Sequence, residues 1–186
     1  MVALAEAVRD SLIPNAMIAV VISDQKSAAG LQRAQELGIS TVVIERPGRT
    51  REEHEREVLA ALQQNHVELV CLAGYMRLLS TQFIERFRNR ILNIHPSLLP
   101  CFPGLDAQQQ AIAHGVKFSG CTVHFVDETL DSGPIIAQRV VPVLDADNAE
   151  SLSARILVAE HKLYAEAVAL VVSGDYQIVG RRVVSE

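Results

Sequence analysis

The chain contains no tryptophan, and its aromatic residues together make up only 4% of the sequence. Nucleic-acid surfaces stack bases on aromatic side chains and draw the backbone with clustered Lys and Arg. Here the basic residues are scattered and the formal net charge is −5, so neither half of such a surface is visible. Only three cysteines occur, Cys71, Cys101 and Cys121, odd in number and far apart. That supplies no disulfide framework and no paired metal-ligand spacing, and it fits a reducing compartment. No apolar run approaches the ~20 residues of a membrane-spanning helix. The start lacks the basic-then-apolar pattern of a secretory signal, so the expected location is the cytoplasm. No internal repeat, low-complexity segment or linker is visible.

What is present is a chain of 186 residues with 49% hydrophobic composition. That length buries a sizeable core, and the prior of roughly 100 to 200 residues per domain predicts one domain over 1–186. Valine- and isoleucine-rich runs alternate with amphipathic stretches, the pattern of an α/β fold with a mostly parallel sheet and helices on both faces. Strands are expected at Met17 to Ser23, Ser40 to Ile44, Val67 to Leu72 (fully buried), Arg90 to Ile94, Ser119 to Val126 and Pro134 to Val143. Ser27 is the expected N-cap of a helix stopped by Gly38. Thr50 and Glu53 form a capping box for a helix that turns Val58, Leu59 and Leu62 inward. Further helices are expected from Ser80, with Phe83, Ile84 and Phe87 on one face, from Gly104 to about His114, and from about Asn148 to Val172.

The most informative stretch is Asn93-Ile94-His95-Pro96-Ser97-Leu98-Leu99-Pro100. In an extended segment residues two apart share a face, so Asn93 and His95 project together while Ile94 turns into packing. Pro96 blocks continuation as a paired central strand, which places the pair at a strand's carboxyl end. In open parallel sheets ligands collect beyond such ends. Two other loops at strand ends are unusually polar: Ala73 to Leu79, with Arg77, and Asp127 to Gly133, with Asp131. An amide and an imidazole can donate to a developing oxyanion while a carboxylate holds the imidazole's tautomer or raises its basicity. No serine or cysteine elbow is required, so the nucleophile would come from a substrate, as in acyl or formyl transfer to an amine. Taken singly, each residue has a plainer reading: Asn93 and Asp131 as turn residues, Arg77 as a solvated charge, His95 and His124 as strand histidines.

These residues sit within longer signatures. Asn93 to Pro100 with Phe102-Pro103-Gly104, then Gly120 to Val126, then Leu130-Asp131-Ser132-Gly133-Pro134, resemble the glycinamide ribonucleotide (phosphoribosylglycinamide) formyltransferases of de novo purine biosynthesis. Cys71 to Arg77 and Ala159-Glu160-His161 match the same family, and the resemblance runs from about Ala16 to Tyr176. The Asn-x-His pair and later Asp are shared by the wider folate formyltransferases. The Phe-Pro-Gly continuation and single-domain length favour the purine enzyme over the methionyl-tRNA formyltransferase and the formyltetrahydrofolate deformylase.

The resemblance implies a Rossmann-like formyltransferase fold and transfer of a formyl group from 10-formyltetrahydrofolate to the amine of glycinamide ribonucleotide, without metal. It implies catalytic roles for His95 as general acid, Asn93 as second oxyanion donor and Asp131 as the group that raises the histidine's basicity and helps move the amine's proton. It places the folate at Arg51, at Met76, Arg77, Leu78 and Leu79, at Asn93, and at Asp127, Glu128, Thr129, Leu130 and Asp131. The ribonucleotide falls at Leu157, Val158, Ala159 and Glu160. Formyl transfer to another amine, such as a sugar nucleotide, and a non-catalytic folate-binding module are the alternatives. The family's first buried strand and its Gly-x-Gly-Ser-Asn phosphate loop have no counterpart here, since Met1 aligns with the leucine just after that loop. Their absence would leave backbone groups unpaired and an apolar slot in the sheet. Either the natural product extends upstream, or the sheet is rearranged or completed by a partner; the intact mass of the native protein distinguishes these. In a chain that is short, folate binding should survive better than ribonucleotide binding.

Overall fold

The computed structural model describes residues 1–185. In chain order the elements are α1 (Val2–Arg9), β1 (Val21–Ser23), α2 (Ala29–Glu36), β2 (Thr41–Val43), α3 (Arg51–Gln64), β3 (Val70–Cys71), α4 (Thr81–Arg86), β4 (Ile91–His95), α5 (Ala107–Ala113), β5 (Phe118–Phe125), β6 (Ile135–Pro142), α6 (Ala149–Ser173), β7 (Tyr176–Val179) and β8 (Arg182–Ser185). The architecture is the expected α/β one, with a mixed sheet. β1 pairs with β2, β3 with β4 and β6 with β8 in parallel, whereas β5 runs antiparallel to both β4 and β6. Among the described residues no helix is long and apolar enough to cross a membrane.

Alternation along β4 builds two cores, one on each face of the sheet. Leu92 joins Leu4, Ile13, Phe125, Leu152, Ile156 and Leu163, which α1 and α6 press onto one face. Its neighbour Ile91 joins Leu62, Phe83, Ile84 and Phe87 from α3 and α4 on the other. The helix starts follow local chemistry. Thr50 and Glu53 form the reciprocal capping box of α3, Ser80 caps α4 through the Phe83 N–H, and Asn148 caps α6 through the Ser151 N–H. Tyr164 of α6, buried, brings its Oη to 2.8 Å from the Leu72 carbonyl and 3.0 Å from that of Leu92, pinning the helix to the end of β3 and the start of β4.

Three expectations need correction. Ala28, with no side-chain bond, is the N-cap of α2 in place of Ser27. The strand expected over Val67 to Leu72 is reduced to two paired residues, and these are only half-buried. The reason is that the hydrogen-bonded sheet is in two pieces, β1-β2 and β3-β4-β5-β6-β8-β7, so β3 is an edge. Third, the chain past α6 forms the antiparallel hairpin β7-β8, for which no strand was expected.

The division leaves two edges facing a seam. Val21 N–H donates to Ser40 and Ile44 N–H to Ser23, while Val70 and Leu72 N–H groups donate to Arg90 and Leu92. Because consecutive residues of a strand point their backbone groups to opposite sides, those of Ile22 and Cys71 face the seam. Side chains bridge it: Val20 and Ile22 pack into the same core as Val70 and Leu72.

Candidate active site

β4 ends at His95, so Asn93 and His95 stand at its carboxyl end as alternation requires, with Ile94 packed into the core on the other side. Beyond them Pro96 to Gly104 is a braced loop. Thr122 Oγ1 donates to the Ser97 carbonyl (2.7 Å) and accepts from Leu99 N–H (3.0 Å), while Gln138 Nε2 donates to the Leu99 carbonyl (2.9 Å). The loop returns the Phe102 carbonyl to 2.8 Å from His95 Nε2. A carbonyl only accepts, so Nε2 carries the hydrogen and Nδ1 is the nitrogen that turns toward the site.

What Nδ1 meets is Asp131. Its Oδ2 lies 3.4 Å from His95 Nδ1, with both side chains nine-tenths or more buried. The same oxygen accepts a 2.8 Å bond from Gly104 N–H, which the loop can offer because Gly104 takes a left-handed conformation (φ 81°). Asp131 is itself left-handed (φ 46°), a conformation that aspartate tolerates better than most residues. At 3.4 Å the imidazole and carboxylate are just beyond a normal hydrogen bond, and both retain capacity for a reactant lying against them. Burial makes each charge there act through a lower dielectric than water.

His124 was left by its sequence context as a strand histidine, yet it organises this site. A register irregularity between Val123 and His124, where β6 carries the extra residue Ile136, re-aims the strand next to the loop of Asp131. His124 Nδ1 donates to the Phe125 carbonyl (2.8 Å), so neutral Nε2 accepts from Asn93 Nδ2 (3.3 Å). One amide hydrogen of Asn93 is thereby held, leaving the other and Oδ1 for a ligand. Asp131 Oδ1 is 3.8 Å from the same Nε2. Burial pushes the His124 pKa below its usual value, which keeps it in the neutral form this arrangement needs. The sign follows by linkage: below about pH 6.5 an unfolded His124 takes up a proton that the folded one resists, so stability present above that pH is lost as pH falls. Denaturant titrations should therefore show a decline between about pH 6.5 and 5 that is reduced in His124→Gln; an unchanged slope in that variant would refute this assignment.

The remaining candidates divide into two groups. Arg51, Arg77 and Leu78 line one cavity of about 700 Å³, and Met76, Leu78 and Leu130 expose large apolar side chains. Leu79 is different: its side chain is buried in the α3/α4 core, so only its backbone can serve a ligand. Asp127 Oδ1 accepts from Thr129 N–H (2.9 Å), shaping the turn, and Glu128 pairs with Arg88 across 3.5 Å. Leu157, Val158, Ala159 and Glu160 all lie on α6, where successive side chains fan around the helix; Leu157 and Val158 are exposed and Ala159 packs against the core. Glu160 lies near the Cys121 thiol, and burial pushes its pKa up. Among the described residues no three His, Cys, Asp or Glu side chains gather as a metal site.

The geometry is that of an acid–base centre at the carboxyl end of β4, with an arginine-lined cavity formed by the β2–α3 connection and the Arg77 loop. The formyl transferase family model matches residues 1–168. The phosphoribosylglycinamide formyltransferase of Bacillus subtilis (strain 168) is 39% identical over 155 residues, 83% of this chain and 80% of that protein. The trifunctional purine biosynthetic protein adenosine-3 of Drosophila melanogaster is 47% identical over 174 residues, which are 92% of this chain but only 13% of that much longer protein. The crystal structure of glycinamide ribonucleotide transformylase 1 from Symbiobacterium toebii superposes with a TM-score of 0.95 at 49% identity, covering 98% of this chain and 86% of that one. A family match over most of the chain, with a bacterial relative of which it covers four-fifths, makes this protein a member of the formyl transferase family.

Proposed function

We propose that the chain transfers the formyl group of 10-formyltetrahydrofolate to the amine of glycinamide ribonucleotide, as a phosphoribosylglycinamide formyltransferase of purine biosynthesis. The observation that carries this is the meeting of Asn93 and His95, from the end of β4, with Asp131, from the β5–β6 loop. The donor supplies an activated formyl carbonyl. Asn93, with one amide hydrogen held by His124, directs the other at the formyl oxygen, and His95 Nδ1 meets the charge that develops there. His95 donates from Nδ1 in its imidazolium form, and Asp131 beside it takes the proton released by the attacking amine; as the carbonyl re-forms, the bond from the formyl carbon to the donor nitrogen breaks and that nitrogen receives the proton, so tetrahydrofolate leaves. No side chain becomes acylated, because the acceptor amine is the nucleophile.

The fit of a folate is supported by three features. Met76, Leu78 and Leu130 each expose an apolar side chain that a ring system would cover, the 127–131 loop has backbone groups for its polar edge, and Arg51 and Arg77 line one cavity that would take a carboxylate tail. Glu160, half-buried on α6, is the group to accept hydrogen bonds from the ribonucleotide. The three unpaired cysteines fit action in the reducing cytoplasm.

The test follows release of tetrahydrofolate from 10-formyltetrahydrofolate with glycinamide ribonucleotide as acceptor, run beside a sugar-nucleotide amine. Faster turnover with the ribonucleotide is expected. Preference for the other amine would reassign the acceptor, and absence of turnover in a folded chain that still binds folate would make it a binding module.

A further inference from the structure

Phe102 stands in a conformation that bulky residues avoid. Its φ is 52°, in the left-handed region where a Cβ crowds the following carbonyl. Glycine takes that region freely, as Gly104 does two residues later (φ 81°), yet position 102 carries an aromatic ring. Such strain persists only where the surroundings over-determine it. Three contacts do so here. The ring packs against the core and its centroid lies 5.2 Å from that of His114 at the end of α5. The carbonyl that follows accepts from His95 Nε2 (2.8 Å). The peptide that precedes is fixed by Ser97, whose Oγ donates to the Cys101 carbonyl.

Ser97 works from a fixed base. It is fully buried, and its own carbonyl accepts from Thr122 Oγ1 (2.7 Å) on the neighbouring strand β5. Rotation about φ of Phe102 swings the peptide before the residue and rotation about ψ the peptide after it, so the left-handed turn is set only while both are held. His95 holds one and Ser97 the other. A neutral hydrogen bond contributes an amount of the same order as the left-handed penalty, so losing the Ser97 hydroxyl releases Phe102 toward ordinary backbone. The consequence for the chemistry falls on His95. An imidazolium can lose either of its protons, and the carbonyl at Nε2 selects the one on Nδ1, which faces Asp131.

We propose that Ser97 is a positioning residue for His95: its hydroxyl holds Phe102 left-handed, so that the Phe102 carbonyl keeps the hydrogen on Nε2 and leaves Nδ1 to act. Ser97 is itself buried out of reach of any reactant, so its whole effect passes through the 101–102 backbone. The effect on rate rests on the formyl-transfer reading above, whereas the effect on the tautomer does not.

The experiment compares the native chain with Ser97→Ala by two readouts. Cys101 is exposed, so water can take over its carbonyl and the variant should fold. The first readout is the imidazole ¹⁵N spectrum at about pH 8.5, roughly two units above the usual histidine value, with the His95 signals identified by their loss in His95→Ala. In the native chain a protonated Nε2 and a bare Nδ1 should give two well-separated signals. In Ser97→Ala the two should draw together as the ring samples both tautomers. The second readout is turnover: kcat should fall about ten- to a hundredfold, the cost of a small misplacement at a reacting group, while KM for both substrates stays within about threefold. In a Phe102→Gly background, where the left-handed turn costs nothing, removing the hydroxyl should lower kcat by only about threefold or less.

A native spectrum with the hydrogen on Nδ1 overturns the proposal, as does a Ser97→Ala protein with native spectrum and native kcat. A raised KM at unchanged kcat overturns it too, by placing Ser97 in substrate binding. An equal cost of Ser97→Ala with phenylalanine or glycine at 102 overturns the link through backbone strain. Should the Phe102→Gly proteins fail to fold, the spectra of the native chain and Ser97→Ala decide alone. Because those spectra need no substrate, a chain that turns over nothing overturns the formyl-transfer reading and leaves the Ser97 assignment to be judged by the tautomer.

Discussion

His95→Ala is expected to lower kcat for formyl transfer by about 10²- to 10⁴-fold, the usual contribution of a positioned acid–base group, or ~3 to 5 kcal/mol of barrier. The loss should not come from unfolding. Removing the ring frees the Phe102 carbonyl that Nε2 satisfies, a cost of about 1–3 kcal/mol against a total stability of roughly 5–15 kcal/mol. Melting curves should thus show a cooperative transition a few degrees lower while turnover collapses. Because Asn93 is held by His124 and not by His95, folate affinity should change little. A His95→Ala enzyme within tenfold of the native kcat would remove His95 from the chemistry. Loss of folate binding alongside the rate would instead make it a structural support.

Gly133→Ala is expected to lower both stability and rate, although it adds a single methyl group two residues from the nearest proposed catalytic side chain. A Cβ at Gly133 would lie 1.9 Å from the Phe125 carbonyl oxygen and 2.9 Å from its carbon. Both obstacles are backbone, so no rotamer change relieves the clash and the 127–133 loop must move. Overpacking of this kind costs about 1–3 kcal/mol, and a displacement near 1 Å at a reacting group can cost about 10² in rate. Here the displaced group is Asp131, whose Oδ2 is placed by Gly104 N–H and by proximity to His95. The comparison is Ser132→Ala, in the same loop, which loses one exposed 3.1 Å bond from Arg181 and should stay within about 0.5 kcal/mol of native. Native turnover in Gly133→Ala would show that the loop adapts without moving Asp131.

What could be read from the sequence was what neighbours along the chain decide. The caps of α3, α4 and α6 each depend on a bond spanning three residues, and Thr50, Ser80 and Asn148 announce them. The pairing of Asn93 with His95 depends on strand alternation and the halt at Pro96. Partners distant in sequence were harder. His124 looks like any strand histidine until the irregularity opposite Ile135–Ala137 turns it toward Asn93, 31 residues away. The role of the Phe102 carbonyl depends on a loop braced by Thr122 and Gln138. Other signals were available. Glu55 falls on the same helical stripe as Val58, Leu59 and Leu62, and it is buried, its carboxylate accepting from Ser80 N–H at the start of α4. The β7-β8 hairpin is likewise written in the alternation of Tyr176 to Val184 around Gly180.

The seam between β1 and β3 has a dynamic meaning. Backbone hydrogen bonds make a sheet open cooperatively, whereas side-chain packing lets neighbours loosen one at a time. The β1–α2–β2 segment is joined to the rest by side-chain packing around Val20 and Ile22 and of α2 against α1, with no strand pairing to the larger sheet, and is therefore positioned to exchange its amide hydrogens as a separate unit, ahead of β4 and β5. The arginine cavity straddles that same seam, with Asp24 and Arg46 on one bank and Arg77 on the other. An anion held by arginines of both banks would be a stitch between the two halves of the sheet, so its binding should slow exchange in β2 as well as in the Arg77 loop.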